Sequence, residues 1–136
     1  MSKTKPQRIN AQQVKQFLAA AQKRAVAGRK NLTIDAETAH EIAYEAMIKG
    51  SLALMLSHGQ RPRKQLGHHI AIIEFAQRHL AGCPTTTFIL FDRMRRKRND
   101  ALYDVTIIGD TEAKKAVLTS EQFLLIVETD IKKRIP

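Results

Sequence analysis

The stretch TIDAETAHEIAYEAMIKGSLALMLSHG, residues 33–59, decides the fold of this chain. Its apolar residues recur every three to four positions, which predicts one long helix that begins at Thr33 and ends at Gly59. A helix that is apolar on two faces needs neighbours on both sides, and small residues let a neighbour approach closely. We therefore place this helix in the middle of a bundle. The small face carries Ala39, Ala43, Ala46, Gly50 and Ala53, and the large face carries Tyr44, Ile48, Leu52 and Met55.

Four further helices are predicted by the same periodicity on either side of the central one. Asn10 begins the first of them, because Gln13 follows it in the capping-box position. Five helices without an internal repeat predict an all-α fold, a four- or five-helix up-and-down bundle. The outer helices are expected from Asn10 to Gly28, from His68 to Leu80, from Pro84 onward and from Asp110 onward.

The chain is expected to form one domain, since 136 residues fit a single hydrophobic core. Residues 1–9 are interpreted as a flexible basic tail and residues 10–136 as the bundle. The apolar run at residues 105–108 is interpreted as a packed connector.

A single cysteine, Cys83, excludes a disulfide framework. Without an apolar leader or a run of about 20 apolar residues, we expect a cytoplasmic protein with no membrane contact.

The charge of the chain points to an acidic partner. Lys and Arg number 23 against 13 Asp and Glu, which leaves a net charge of +10. RNA, DNA, a nucleotide phosphate or an acidic protein would each suit this excess, and the alternative is that the charge only keeps the protein in solution. Aromatic residues make up only 5% of the chain, which disfavours proteins that stack bases on an aromatic sheet. We expect no metal and no cofactor, because the sequence has neither a Gly-rich phosphate loop nor an HExxH motif.

The candidate functional segment is DRMRRKRNDALYD, residues 92–104, in which five of the six residues from Arg93 to Arg98 are basic. On a helix Arg98 falls on the otherwise apolar line of Phe91 and Met94. An arginine there must be paired, line a cleft or face a partner chain, because burying it alone is costly. Together Arg98, Asn99 and Tyr103 offer donors that suit a phosphate. The alternative is that Arg98 caps the adjacent carbonyl groups or forms an ion pair with Asp100, Asp104 or Glu128.

Histidines are a second set of candidates. His40 and Tyr44 lie four residues apart on one helical face, which predicts a hydrogen bond at a helix seam. His68 and His69 are adjacent, so they point in different directions and cannot chelate one ion together. Either of them, as an alternative to a core or capping role, would supply an imidazole to Arg98 from another helix.

Several segments resemble the HEPN domain family in their order and spacing, over roughly residues 10–134. The closest subgroup is that of small bacterial stand-alone HEPN proteins of actinobacterial type. The segments that carry the resemblance are AYEAMIKGSLALMLSHG (43–59), GHHIAIIEFA (67–76), RRKRNDALYD (95–104) and TSEQFLLIV (119–127).

The resemblance implies a bundle of four or five helices that forms a homodimer, with the Arg segment near the dimer cleft. Many HEPN proteins are metal-independent ribonucleases, including toxins paired with a nucleotidyltransferase antitoxin. The family motif is Arg, a polar residue and then His, which Arg98 and Asn99 match. Tyr103 stands where the histidine belongs. Tyrosine, with a pKa of about 10, is a poor proton acceptor at neutral pH, and losing such a group costs about 10²–10⁴-fold in rate.

Three hypotheses follow for the function of the chain. The first is a HEPN-like protein that binds RNA or nucleotide phosphates without efficient catalysis, in a toxin–antitoxin or nucleotidyltransferase-linked system. The second is an active metal-independent ribonuclease, with Arg98 as the catalytic residue and another group in place of the histidine. The third is a dimeric protein-interaction module with no nucleic-acid role. The predicted phosphate- or RNA-binding residues are Arg95, Arg98, Asn99 and Tyr103.

Overall fold

Five helices and a small sheet make up residues 3–63, 68–103 and 107–136, the part of the chain that the computed structural model describes. The helical bundle that the sequence predicts is confirmed, and the short sheet is added to it. The helices are α1 (Ala11–Asn31), α2 (Ala36–Ser57), α3 (His68–His79), α4 (Thr85–Ala101) and α5 (Asp110–Lys132), and the strands are β1 (Thr4–Pro6) and β2 (Gln60–Pro62).

Helix α2 lies at the centre and packs against each of the other four helices. Its small residues allow this, as the sequence predicts. A Cβ atom on Gly50 would collide with the side chain of Leu124, so the absence of one lets α5 lie close to α2. The core between the helices contains large side chains that are fully buried, among them Tyr44, Met47, Leu54, Phe91, Met94 and Phe123.

The ends of the helices follow local capping chemistry. The Asn10 side chain accepts a hydrogen bond of 3.1 Å from the Gln13 amide and so begins α1 where the sequence predicts. Helix α2 begins three residues later than predicted, because the Asp35 carboxylate caps it by accepting from the Thr38 amide. Gly59, with φ of +70°, ends α2 in the left-handed region that glycine tolerates.

Gly28 does not end α1, which continues to Asn31. It is buried where α1 crosses α2, with the Ala39 carbonyl oxygen and the Ala43 amide nitrogen 3.6 Å from the position that a Cβ would take. The prediction of a helix stop at Gly28 was therefore wrong. A small residue at a helix crossing serves close packing as well as it serves a helix end.

A two-stranded antiparallel sheet ties part of the N-terminal segment to the bundle. Thr4 pairs with Pro62 and Pro6 pairs with Gln60, while the Lys3 ammonium lies 2.6 Å from the Glu74 carboxylate. The segment that the sequence assigns to a loose basic tail is thus paired over Thr4–Pro6. The pairing joins segments about 56 residues apart, so the local periodicity of the sequence does not predict it.

The predicted connector at 105–108 is described only in part. Val105 and Thr106 lie outside the described residues, Ile107 is 86% exposed and Ile108 packs partly against the core. None of the helices in the described ranges is long and apolar enough to cross a membrane.

Candidate phosphate-binding site

Arg98 lies near the C-terminal end of α4 and packs over an aromatic ring of α2. Its guanidinium carbon is 6.0 Å from the centre of the Tyr44 ring, at the outer limit of a cation–π contact. Tyr44 is held in turn by an edge-to-face contact with Phe91, at 5.9 Å between ring centres. The Arg98 Nε atom is buried and has no hydrogen-bond partner. The side chain is thus positioned by packing while a strong donor stays unsatisfied.

No carboxylate in the described residues compensates the charge of Arg98 within 4 Å. Of the three partners that the sequence allows, Asp100 is exposed and forms no such pair, Glu128 binds Gln22 and Lys132, and Asp104 lies outside the described residues. Three neighbouring cations, Arg95, Arg96 and Lys97, differ from Arg98 in this respect. Asp92 pairs with both Arg95 and Arg96 at 2.9 Å, and Glu112 lies 3.7 Å from Lys97.

Tyr44 also forms a hydrogen bond with His69 of α3. Its hydroxyl lies 2.8 Å from Nδ1 of His69. Burial raises the pKa of the Tyr44 phenol well above its usual value, although Arg98 and Arg95 oppose the shift. Burial, with help from His68 and Arg98, lowers the pKa of His69 to about 4. Both groups are therefore uncharged at neutral pH, and a neutral hydrogen bond joins α2 to α3 beneath Arg98.

Arg98 opens onto a small cavity of about 160 Å³ between α2, α4 and the start of the connection to α5. His40 of α2 lines the same cavity and is 4% exposed. Burial lowers the pKa of His40, Glu112 opposes the shift and Lys97 adds to it, so the ring is neutral at neutral pH. The other lining residues are Glu37, Glu41, Lys97, Ala101, Leu102 and Ile108.

Charges of both signs line this cavity: the cations belong to α4 and the carboxylates to α2. Arg98 and Lys97 of α4 offer cationic donors, which suit the oxygens of a phosphate. Glu37 and Glu41 of α2 offer carboxylate oxygens, which accept hydrogen bonds and suit the hydroxyls of a sugar. A nucleotide unit carries both kinds of group, whereas inorganic phosphate carries only the first.

Three of the predicted site residues, Arg95, Asn99 and Tyr103, do not join Arg98 in the cavity. Helix α4 ends at Ala101, and Tyr103 lies in the turn beyond it, where its amide bonds to the Asp100 carbonyl. Tyr103 is 89% exposed and Asn99 is exposed on the last turn of α4. The spacing of four that would place them on one face assumes a helix that continues through residue 103. Arg95 is half-buried beside Tyr44 and engaged with Asp92.

The structure brings Arg98 together instead with Tyr44 and His40, which the sequence analysis did not assign to the site. Their spacing of four on α2 was a usable signal, because two polar residues on a buried helical face must meet a partner. The predicted seam contact is made by Tyr44, but its partner is His69 of α3. His69 does not line the Arg98 cavity, so the imidazole nearest to that space is that of His40.

Within the described ranges, no three side chains of His, Cys, Asp or Glu are grouped so that they could hold a metal ion. The chain matches no protein-family model and none of the curated proteins compared with it. The likeness to the HEPN family therefore rests on the segments quoted above and on their order.

Proposed function

We propose that this chain is a HEPN-like protein that binds RNA or a nucleotide phosphate at Arg98, without efficient catalysis. One observation carries the proposal: the Arg98 guanidinium is held against Tyr44 with its Nε buried and unpaired. A buried donor without a partner costs about 1–3 kcal/mol. A phosphate oxygen that reached the guanidinium would recover this cost, because hydrogen bonds between charged groups are the strong ones.

The rest of α4 supports binding to a polyanion. Arg93 is exposed and, among the described residues, has no carboxylate within 4 Å. Arg96 is also exposed and shares Asp92 with Arg95. With a net charge of +10, the chain attracts nucleic acid at long range, and Arg98 supplies a fixed contact at short range.

Efficient catalysis is not part of the proposal, because the residue in the place of the family histidine is badly suited to proton transfer. Tyr103 is 89% exposed on the turn beyond α4 and does not line the Arg98 cavity, so it is not placed to exchange a proton with a group bound there. We assign Asn99 and Tyr103 to the outer edge of the binding surface, where an amide and a phenol donate to phosphate or sugar oxygens.

A slow ribonuclease is the second candidate, and His40 favours it. The neutral imidazole shares a cavity with Arg98 and is able to accept the proton of a ribose 2′-hydroxyl. The 2′-oxygen would then form a bond to phosphorus, the bond from phosphorus to the 5′-oxygen would break, and that oxygen would take up a proton from water. Arg98 would stabilise the charge that develops on the phosphate.

Partner proteins belong to the same proposal. We propose that the chain acts as a homodimer in the cytoplasm, with an antitoxin or a nucleotidyltransferase as a further partner. Leu102 lines the Arg98 cavity and is 67% exposed, and Ile107, which precedes the lining residue Ile108 in the chain, is 86% exposed. Large apolar side chains at that exposure suit a surface that another chain covers. A dimer without affinity for RNA would support the third hypothesis, the interaction module.

The test is an incubation of the purified protein with labelled RNA in EDTA, read for both binding and fragments. The wild type is expected to bind, with an affinity that falls steeply as salt rises, and to leave the RNA intact. Tyr103→His is expected to gain cleavage if the site is a nuclease centre that has lost its base. Absence of salt-dependent RNA binding by the wild type would overturn the proposed function.

Two further variants separate the candidates. Cleavage by the wild type that disappears in both Arg98→Ala and His40→Gln would establish the slow ribonuclease. Cleavage that survives in Arg98→Ala would point to a contaminating nuclease, which the EDTA does not inhibit.

A further inference from the structure

A second, larger cavity lies nearer the C-terminal end of α2 than the Arg98 cavity does. It measures about 450 Å³, within the range typical of small-molecule sites, and lies between α1, α2, α3 and β2. Its wall is apolar and almost entirely aliphatic, with buried or half-buried side chains from four elements. We call it the α1–α3 groove, and its apolar wall consists of Phe17, Ile48, Leu52, Leu56, Pro62 and Ile72.

The charge at this groove is of one sign. Arg61 and Arg63 of the segment around β2 line its rim, and no Asp or Glu is among its described lining residues. Arg61 forms no ion pair with another described residue. The Arg98 cavity differs in this respect, since Glu37 and Glu41 line it. A groove with an aliphatic wall and a cationic rim complements a molecule with an apolar body and one negative end.

The polar groups of the groove do not suit a nucleobase. The Gln7 and Gln13 side chains bond to each other at 3.1 Å, and the Nδ1 atom of His69 is engaged with Tyr44. Few fixed donors and acceptors therefore remain to bond the edge of a base, whose polar atoms would be costly to bury unpaired. An alkyl chain has no such atoms, and it fits a wall of Ile and Leu.

We propose that the α1–α3 groove binds a free single-chain alkyl carboxylate, with the chain along the apolar wall and the carboxylate at Arg61. This site is separate from Arg98 and does not depend on RNA binding. The groove lies among three helices and a strand and has the volume of a small molecule, which favours a free ligand over a protein segment or a membrane surface.

His69 gives the proposal an internal reporter. The ring lines the groove, and burial, together with the nearby His68 and Arg98, lowers its pKa. A carboxylate bound nearby would favour the protonated ring and raise its pKa. Decanol, which has the same chain length and no charge, would occupy the wall without that effect.

The experiment titrates the purified chain with decanoate, below its micelle-forming concentration, and follows His69 by NMR. Saturable binding and a raised pKa of His69 are expected with decanoate. Arg61→Gln should weaken decanoate binding about two- to fivefold, the usual worth of an exposed charge pair, and leave decanol binding unchanged. Arg93→Gln, which removes the same charge from the exposed face of α4, is the matched control and should change neither.

A substitution in the apolar wall tests whether the alkyl chain binds there. Leu52→Trp fills the groove and should abolish decanoate binding, whereas Leu125→Trp adds the same side chain at an exposed position of α5 and should not. Leu52→Phe replaces Leu52→Trp if circular dichroism shows that the latter does not fold. The proposal is overturned if decyltrimethylammonium binds as well as decanoate, if filling at position 52 has no effect, or if no saturable binding is seen. RNA binding by wild-type protein is measured in parallel, so that each proposal fails on its own.

Discussion

Two arginines lie at opposite ends of the bundle, and only one of them is satisfied. Arg134 donates to the Ser57 hydroxyl at 2.8 Å and to the Asp130 carboxylate at 2.6 Å, so its charge is compensated where α5 meets the end of α2. Arg98 has an aromatic ring beneath it, a buried Nε without a partner and no carboxylate within 4 Å among the described residues. The first arrangement stabilises the fold, whereas the second leaves binding capacity unused.

An arginine in a partly apolar environment is retained for one of two reasons. A paired arginine is retained because its removal leaves other polar groups without partners. An unpaired arginine lowers the stability of the free protein, and we expect it to have a function other than stabilising the fold. Replacing each arginine by methionine, which keeps much of the chain length, tests this difference with one kind of substitution.

Arg134→Met should have the largest effect on stability. It removes the hydrogen bonds to Ser57 and Asp130 and leaves the half-buried carboxylate beside His58, so we expect a loss of about 2 kcal/mol in the free energy of unfolding. Urea denaturation measures it. An unfolding free energy equal to that of the wild type would show that this network is not structural.

Arg98→Met should have a much smaller effect on stability. The substitution removes a buried unpaired donor and a cation–π contact, two terms of about 1 kcal/mol with opposite signs. The unfolding free energy is therefore expected to stay within about 1 kcal/mol of wild type. A loss as large as that of Arg134→Met would mean that Arg98 has a structural partner, and it would remove the basis of the comparison.

The fold could be predicted from the sequence where local chemistry decides it. The small face of α2 predicted close helix packing, and Gly50 against Leu124 shows why. The capping of α1 by Asn10 was equally local. The pairing of β1 with β2 could not be predicted, because it joins distant three-residue segments and depends on tertiary contacts.

The site could be predicted only at Arg98 itself. A charged residue on the apolar line of α4 identified it, whatever its partners. The predicted face shared with Tyr103 required a helix that in fact ends at Ala101. The partners that the structure provides, Tyr44 and His40, lie on α2, and no spacing rule connects residues of different helices.

Tyr44→Phe keeps the aromatic ring beneath Arg98 and removes only the hydroxyl of Tyr44. The bond to His69 is lost, which should cost about 1 kcal/mol in unfolding free energy. RNA affinity should not change, because the ring that positions the guanidinium remains. A large drop in affinity would show that the hydroxyl itself contacts the ligand.

The pH dependence of stability should carry the signature of His69. Its pKa is about 4 in the folded protein against 6.5 for the unperturbed group, so the folded state binds this proton less readily than the unfolded state. The stabilisation is complete above pH 6.5 and is lost as the pH falls toward 4. His69→Gln should flatten this decline in urea denaturation, and a decline identical to that of wild type would contradict it.

The most direct test of the central claim is the RNA affinity of Arg98→Met beside that of Arg93→Met. Both variants remove one positive charge from α4, but Arg93 is exposed, whereas Arg98 is held at the cavity. We predict a loss of about tenfold or more for Arg98→Met, as expected for a charged hydrogen bond, and about twofold for Arg93→Met. Equal losses in the two variants would show that RNA senses only the net charge, and the assignment of Arg98 as the binding residue would then be wrong.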